Sequence, residues 1–186
     1  MEELGLLFRL ILAFLFISTF VSKISDMSTH LSIVRAYQII PYSWSKGFTY
    51  LDLGLQAIIA ISLLIGFFTR LGLTLAILLL VAYTLAIGIN LAGGRRKISC
   101  GCGGMAGNHF LSWKLVLRNL VFINLAVYVG QWSGGWASVD HYLLYGSFEI
   151  ANWVIAIFFS SVCISLLMAI SGEISTFQHI FRKRQG

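Results

Sequence analysis

Residues 51–92 read LDLGLQAIIAISLLIGFFTRLGLTLAILLLVAYTLAIGINLA, two long apolar runs, about 51–68 and 71–92, parted only by Thr69-Arg70-Leu71-Gly72. A run of about 18 residues, rising about 1.5 Å per residue, is long enough to cross a hydrocarbon core of about 30 Å as a helix. Helix is the form required there, because every backbone N–H and C=O must be satisfied within the segment. Two such runs joined by so short a break form a tight antiparallel hairpin, with Arg70 reaching from the turn to the membrane surface along its aliphatic stem. Outward from the hairpin, further apolar windows lie at about Leu4–Val21, Leu115–Val129 and Phe148–Ile170, giving five expected spans. Of the 186 residues, 58% are apolar and 11% charged, which excludes an ordinary soluble globular domain. The spans follow one another too closely for a separate soluble unit. The chain therefore reads as a single integral membrane domain over residues 1–186, an all-α polytopic helical bundle.

Glu2 and Glu3 stand where a signal peptide carries basic residues, and no small-residue cleavage site precedes Lys23, so the first window reads as a retained helix. The net charge of +6, from 13 Lys and Arg against 7 Asp and Glu, reports topology rather than a nucleic-acid partner. Lys23, Arg35 and Lys46 fall between spans one and two. Arg95, Arg96, Lys97, Lys114 and Arg118 surround the link from span three to span four, and Arg182, Lys183 and Arg184 lie in the tail. The positive-inside rule then predicts a multi-pass protein of the cell (inner) membrane with an outer N-terminus and a cytoplasmic C-terminus, the link at residues 93–112 facing the cytoplasm. The segment LSIVRAYQIIPYSW, Leu31–Trp44, is apolar enough to lie along the interface until Pro41 breaks it. Trp44, Tyr50, Trp113, Tyr128, Trp132 and Trp136 sit near span ends, as anchoring aromatics do.

Polar groups within spans are few, and each needs a partner in hydrocarbon. Arg9 lies in span one, Asp52 and Gln56 stand four apart on one face of span two, and Arg118, Asn119 and Asn124 lie along span four. Two readings arise: Arg9 and Arg118 snorkel while the amides knit helices together, or Asp52 neutralises Arg9 or Arg118 and braces the loop that follows span three.

That loop, KISCGCGGMAGNH at residues 97–109, holds two of the chain's three cysteines. It is open to three readings. A glycine-rich turn with incidental thiols suits Gly101, Gly103, Gly104 and Gly107. A soft-metal site would draw on Cys100, Cys102, Met105 and His109. A redox pair would join Cys100 and Cys102 across Gly101, the residue that bends at the least steric cost, in a small ring that opens easily. Arg95, Arg96 and Lys97 just upstream favour the attacking thiolate. Cys163, in the middle of span five, reads as a small packed hydrophobe.

The stretch GRRKISCGCGGMAGNHFLSWKLVLRNLVF, residues 94–122, resembles the signature of the MauE family, methylamine utilisation proteins related to DoxX. Cys100, Gly101, Cys102 and Gly104 match it, as do Arg118 and Asn119. FVSKI at 20–24, YQIIP at 37–41 and an acidic residue entering span two are also similar. Gly103 replaces the family's usual aromatic, and Asp52 stands where glutamate is common. The resemblance implies a DoxX/MauE-like four-helix core, to which the span at 148–170 is an addition. It implies thiol–disulfide chemistry or export serving the maturation of the disulfide-rich small subunit of methylamine dehydrogenase, with Cys100 and Cys102 as the redox pair and Gly101, Arg118, Asn119 and Asp52 supporting them. Expected partners are the lipid bilayer and a thioredoxin-like protein or disulfide-containing client. The resemblance brings no bound cofactor; a quinone enters by DoxX kinship alone. The alternative function is a non-catalytic membrane scaffold or transport subunit whose loop binds a partner or a soft metal. An exported client would want the loop on the outer face, opposite to the side given by the charges.

Overall fold

A computed structural model of the chain describes residues 2–101, 110–132, 157 and 160–162. Helix α1 covers Glu2–Ser25 and α2 Met27–Ala36. A 3-10 turn at Tyr42–Trp44 leads into α3, Ser45–Ile65; α4 is Thr69–Ala92 and α5 is Trp113–Trp132. Four stretches, Leu4–Ser25, Tyr42–Ile65, Thr69–Ala92 and Trp113–Gln131, are long and apolar enough to cross a membrane. The chain is thus an all-α polytopic membrane protein. The fifth expected span, 148–170, lies outside the described residues apart from residues 157 and 160–162, which are helical.

The hairpin turn lies earlier than the apolar runs suggest. Gly66 ends α3 in the left-handed conformation, φ 72°, the usual way a helix stops where a side chain would be strained. The N–H groups of Gly66 and Phe67 donate to the Ser62 carbonyl at 2.9 and 3.1 Å. The Ser62 hydroxyl donates to the Phe67 carbonyl at 2.5 Å. Thr69-Arg70-Leu71-Gly72, expected as the turn, is instead the first turn of α4. Apolar Phe67 and Phe68 conceal the true break, since hydropathy carries no information about φ. Arg70 is exposed, as expected.

The four long helices close a ring: α1 packs on α3 and α5, and α4 packs on α3 and α5. Leu12 and Phe16 from α1, Ile59 and Leu63 from α3, Ala76 and Leu80 from α4, and Ala126 and Val129 from α5 fill its centre. Ile58, Ile61, Leu85, Ile89, Leu117 and Val121 face outward and are exposed, which suits a lipid-facing surface. Trp44, Tyr50 and Trp113 are exposed as well, whereas Tyr128 packs edge-on against Phe8, ring centroids 5.5 Å apart.

The connection from α1 to α3 is built around α2. The Asp26 side chain caps it by accepting from the Thr29 N–H at 3.1 Å. Hydrogen bonds from Thr29 and Ser28 hold that carboxyl below the usual range. The helix is not broken by Pro41. It ends at Ala36, Gln38 takes φ 53°, and Pro41 instead caps the 3-10 turn.

The hairpin is tightest at Gly72, where a Cβ would stand 2.6 Å from the Ser62 Oγ and 2.9 Å from its Cβ. Gly72→Val should therefore lower stability by about 1–3 kcal/mol, the usual penalty for overpacking, measured by denaturant unfolding in mixed micelles. Unchanged stability would contradict the close approach of α3 and α4.

Candidate functional site

Helix α3 buries Asp52 at 2% exposure and surrounds its carboxylate with donors from four elements. The Lys23 Nζ, near the end of α1, donates to Oδ2 at 2.8 Å. His30 Nε2 of α2 lies 3.1 Å from the same oxygen, and Gln56 Nε2, one turn along α3, donates to it at 3.0 Å. The Tyr83 hydroxyl of α4 donates to Oδ1. Tyr83 in turn accepts from Lys23 at 3.0 Å and from Gln56 at 2.7 Å, and Lys23 stands 4.8 Å from the centre of its ring. The Thr19 hydroxyl donates to Gln56 Oε1 at 3.2 Å, tying α1 to the cluster again.

The cation that meets Asp52 is therefore Lys23, in place of the expected Arg9 or Arg118. Apolar sequence stops near Val21, which made Lys23 look like a surface charge, but α1 continues to Ser25 and turns Lys23 onto α3. Nor does Arg9 snorkel: it is 2% exposed, inside the bundle.

The cysteine loop sits at the same end of the bundle as α2. Its base is closed by an antiparallel bridge between Ser99 and Phe110 and by the Leu111 N–H donating to the Ile98 carbonyl at 3.0 Å. Cys100, 8% exposed, packs among Ile87, Leu91, Leu111 and Leu115. Its carbonyl accepts from the Tyr37 hydroxyl at 3.2 Å. Burial pushes the Tyr37 phenol up to about 12, so it stays a neutral donor at physiological pH. Gly101 takes φ 67°, and a Cβ there would stand 2.9 Å from Ile33 Cγ2; both the backbone angle and the contact with α2 call for glycine. Cys102, Met105 and His109 lie outside the described residues. Among the described residues no three of His, Cys, Asp and Glu are grouped to hold a metal ion.

A cavity of about 500 Å³ joins the two features. Its lining includes Lys23, His30, Asp52 and Tyr83 of the cluster, Cys100 and Gly101 of the loop, and Arg118 and Asn119 of α5. The residues singled out in the sequence, Asp52, Cys100, Gly101, Arg118 and Asn119, thus converge on one space. Lys23, His30 and Tyr83 were missed as site residues. The signal for Tyr83 was a hydroxyl in an apolar run, which needs a partner; Lys23 and His30 give no such sign, because their roles depend on how far α1 extends and on where α2 docks.

Four membrane-crossing helices around a buried ionic cluster, with a pinned cysteine loop at one end, define a small polytopic membrane protein with an internal cavity. The sequence profile of the family described as "Methylamine utilisation protein MauE" matches residues 1–132, the stretch that takes in α1 to α5, and the chain belongs to that family. It is similar to the methylamine utilization protein MauE of Paracoccus denitrificans, 31% identical over 119 residues, and of Methylorubrum extorquens, 32% identical over 111 residues. These matches cover 64% and 60% of each chain, so the chain spans less than two thirds of the relatives' length. No solved structure matches it.

Removing one member of a buried ion pair strands the other at about 3–5 kcal/mol. Asp52→Asn and Lys23→Met should each lose stability of that order, and the double variant should lose clearly less than the sum. Unfolding of all three in micelles checks this; additive losses would show that the pair is not energetically coupled.

Proposed function

We propose that the chain is a membrane thiol–disulfide component of the MauE type, in which Cys100 and Cys102 exchange with a thioredoxin-like protein or a disulfide-containing client. The observation that carries this reading is Cys100, whose sulfur is disulfide-bonded in a loop hinged at Gly101 and pinned on both sides. The sequence offers Cys102 and Cys163 as partners, and we assign Cys102, one residue away. A partner thiolate attacks the pair, one S–S bond breaks as a mixed disulfide forms, and the partner's second thiol resolves it. The partner then leaves oxidised and the pair is left as two thiols. Exposed Arg95, Arg96 and Lys97 precede the loop and favour the thiolate form. Buried Cys100 is poorly placed for attack from water, which assigns the encounter with a soluble partner to Cys102.

The relatives' name supplies the setting, methylamine utilisation; the disulfide-bearing client is the proposal's own addition. The runner-up, a scaffold or transport subunit whose loop binds a partner or a soft metal, predicts free thiols. Lys46, Arg95, Arg96, Lys97 and Lys114 are exposed at the loop's end of the bundle, and by the positive-inside rule that end is cytoplasmic in the inner membrane. Impermeant maleimide applied to intact cells, after mild reduction, should then miss the loop and label it only after lysis. Labelling of intact cells would turn the loop outward, toward an exported client.

Mass spectrometry of unreduced protein, alkylated at low pH, should find Cys100 joined to Cys102. Cys100→Ser, which leaves Cys102 unpaired, should trap a mixed disulfide with the partner, whereas Cys102→Ser and the double variant should trap none. Thiols that stay free under mild oxidant and hold stoichiometric copper or zinc would sink the exchange reading, as would a Cys100–Cys163 bond.

A further inference from the structure

We infer that the cavity binds the head of a long-chain carboxylic acid, a fatty acid taken up from the bilayer. Its volume, about 500 Å³, lies in the range of small-molecule sites. Most of its wall is hydrocarbon, with Phe16, Leu55, Leu75 and Leu79 among the lining. Ile39, Phe48 and Leu78 also line it and are exposed on the outside of the bundle, Leu78 at 60%. Exposed apolar side chains at the edge of a cavity in a membrane bundle open it toward lipid, so an acyl chain enters sideways and leaves its far end in the bilayer.

Two buried atoms specify the head. His30 and Asn119 line the cavity at 7% and 3% exposure, and His30 Nδ1 and Asn119 Nδ2 are buried without a hydrogen-bond partner, a rare and costly state. The two residues stand at a similar depth. His30 reaches Asp52, the carboxylate that Tyr83 of α4 also meets. Ile87 and Leu91 of α4 cluster with Leu115 near the start of α5. Antiparallel α5 therefore brings Asn119, one turn on from Leu115, to the level of Ile87, one turn from Tyr83.

With Nε2 donating to Asp52, the neutral His30 ring offers Nδ1 as an acceptor, whereas Asn119 Nδ2 is a donor. A group that completes both must donate to one and accept from the other. A carboxyl group does so through its two oxygens: the O–H donates to Nδ1 and the C=O accepts from Asn119. Arg118, beside Asn119 in the lining, selects an acid among the groups able to do this. A guanidinium has five N–H donors, enough to serve a further oxygen beside any contact it already makes, and its charge favours a head that becomes an anion. The acid proton has one short move, from the carboxyl oxygen to Nδ1, which leaves a carboxylate facing Arg118 and an imidazolium held against Asp52. An ester has no O–H for His30, an alcohol forms no anion for Arg118, and a cationic head meets Lys23 and Arg118 of the lining with like charge. Binding uses no thiol, so it stands apart from the exchange reading.

The test uses the full chain in nanodiscs of a zwitterionic phospholipid, with radiolabelled oleic acid as the probe. Saturable binding is expected, and oleyl alcohol and methyl oleate should compete at least about tenfold less well, the loss expected when a charge-assisted hydrogen bond is not made. No saturable binding, or equal competition by methyl oleate, overturns the site. Oleoyl lysophosphatidic acid carries the same chain on a phosphate; if it competes better than oleic acid, the head is a lipid phosphate and the fatty-acid reading falls. Asn119→Leu and Arg118→Gln should each weaken oleic acid binding about tenfold or more, and Arg118→Gln should leave the weaker binding of oleyl alcohol unchanged. Ala86→Phe fills the lining without touching a polar group and should weaken the binding of both. The variants are checked for helicity and a monodisperse elution profile, and oleic acid binding that the folded variants leave unchanged overturns the site. Should a variant not fold, the competition series on the wild type decides alone.

Discussion

Asp52 lies within the membrane-crossing stretch Tyr42–Ile65 and is 2% exposed, shut off from bulk water. A carboxylate so placed is tolerated only when cations and donors replace its water. Lys23, His30, Gln56 and Tyr83 do so, and each comes from a place that must be held still. The end of α1, the docking of α2 and the rotation of α4 are all fixed by the need to bring one group to the same two oxygens. Apolar packing between the helices fills space but is nearly indifferent to rotation when lipid tails are the alternative. The ionic cluster supplies the orientation that packing lacks.

That orientation shapes the cavity. Holding His30 against Asp52 draws α2 over the end of the bundle, where Ile33 meets Gly101 and Tyr37 meets the Cys100 carbonyl. The helix thereby connects the charged cluster to the cysteine loop through a few contacts of different kinds: an ionic hydrogen bond, a van der Waals contact that only glycine allows, and a neutral hydrogen bond. The space beneath has mostly apolar walls, with Lys23 and His30 drawn onto Asp52 at one side of it.

Much of this was legible from the chain. Length and apolarity gave the four described spans, and the i, i+4 spacing put Asp52 and Gln56 on one face, where they do bond. Of the residues alike to a known signature, Cys100, Gly101, Arg118 and Asn119 line one cavity. What was hidden depends on geometry that hydropathy does not encode. Gly66 stops α3 through a backbone angle inside a run that stays apolar. Lys23 lies past the apolar window but inside the helix, because backbone hydrogen bonding continues where side-chain hydrophobicity ends. His30 becomes a site residue only once α2 has docked, a tertiary event with no local trace.

The same cluster has a meaning for biosynthesis. Taken singly, α1 carries a lysine and α3 a carboxylate, and an ionic group within a span raises the free energy of insertion by up to about 2.5–3.5 kcal/mol at the bilayer centre. Lys23, close to its helix end, can wait at the headgroups on its long stem; Asp52 has no such reach. Only residues 26–44 separate α1 from α3, so Lys23 and His30 are tethered nearby, at high effective concentration, when Asp52 emerges from the ribosome. Synthesis therefore delivers the cation before the anion that needs it. The helix bearing Tyr83 arrives last, onto a pair already neutralised.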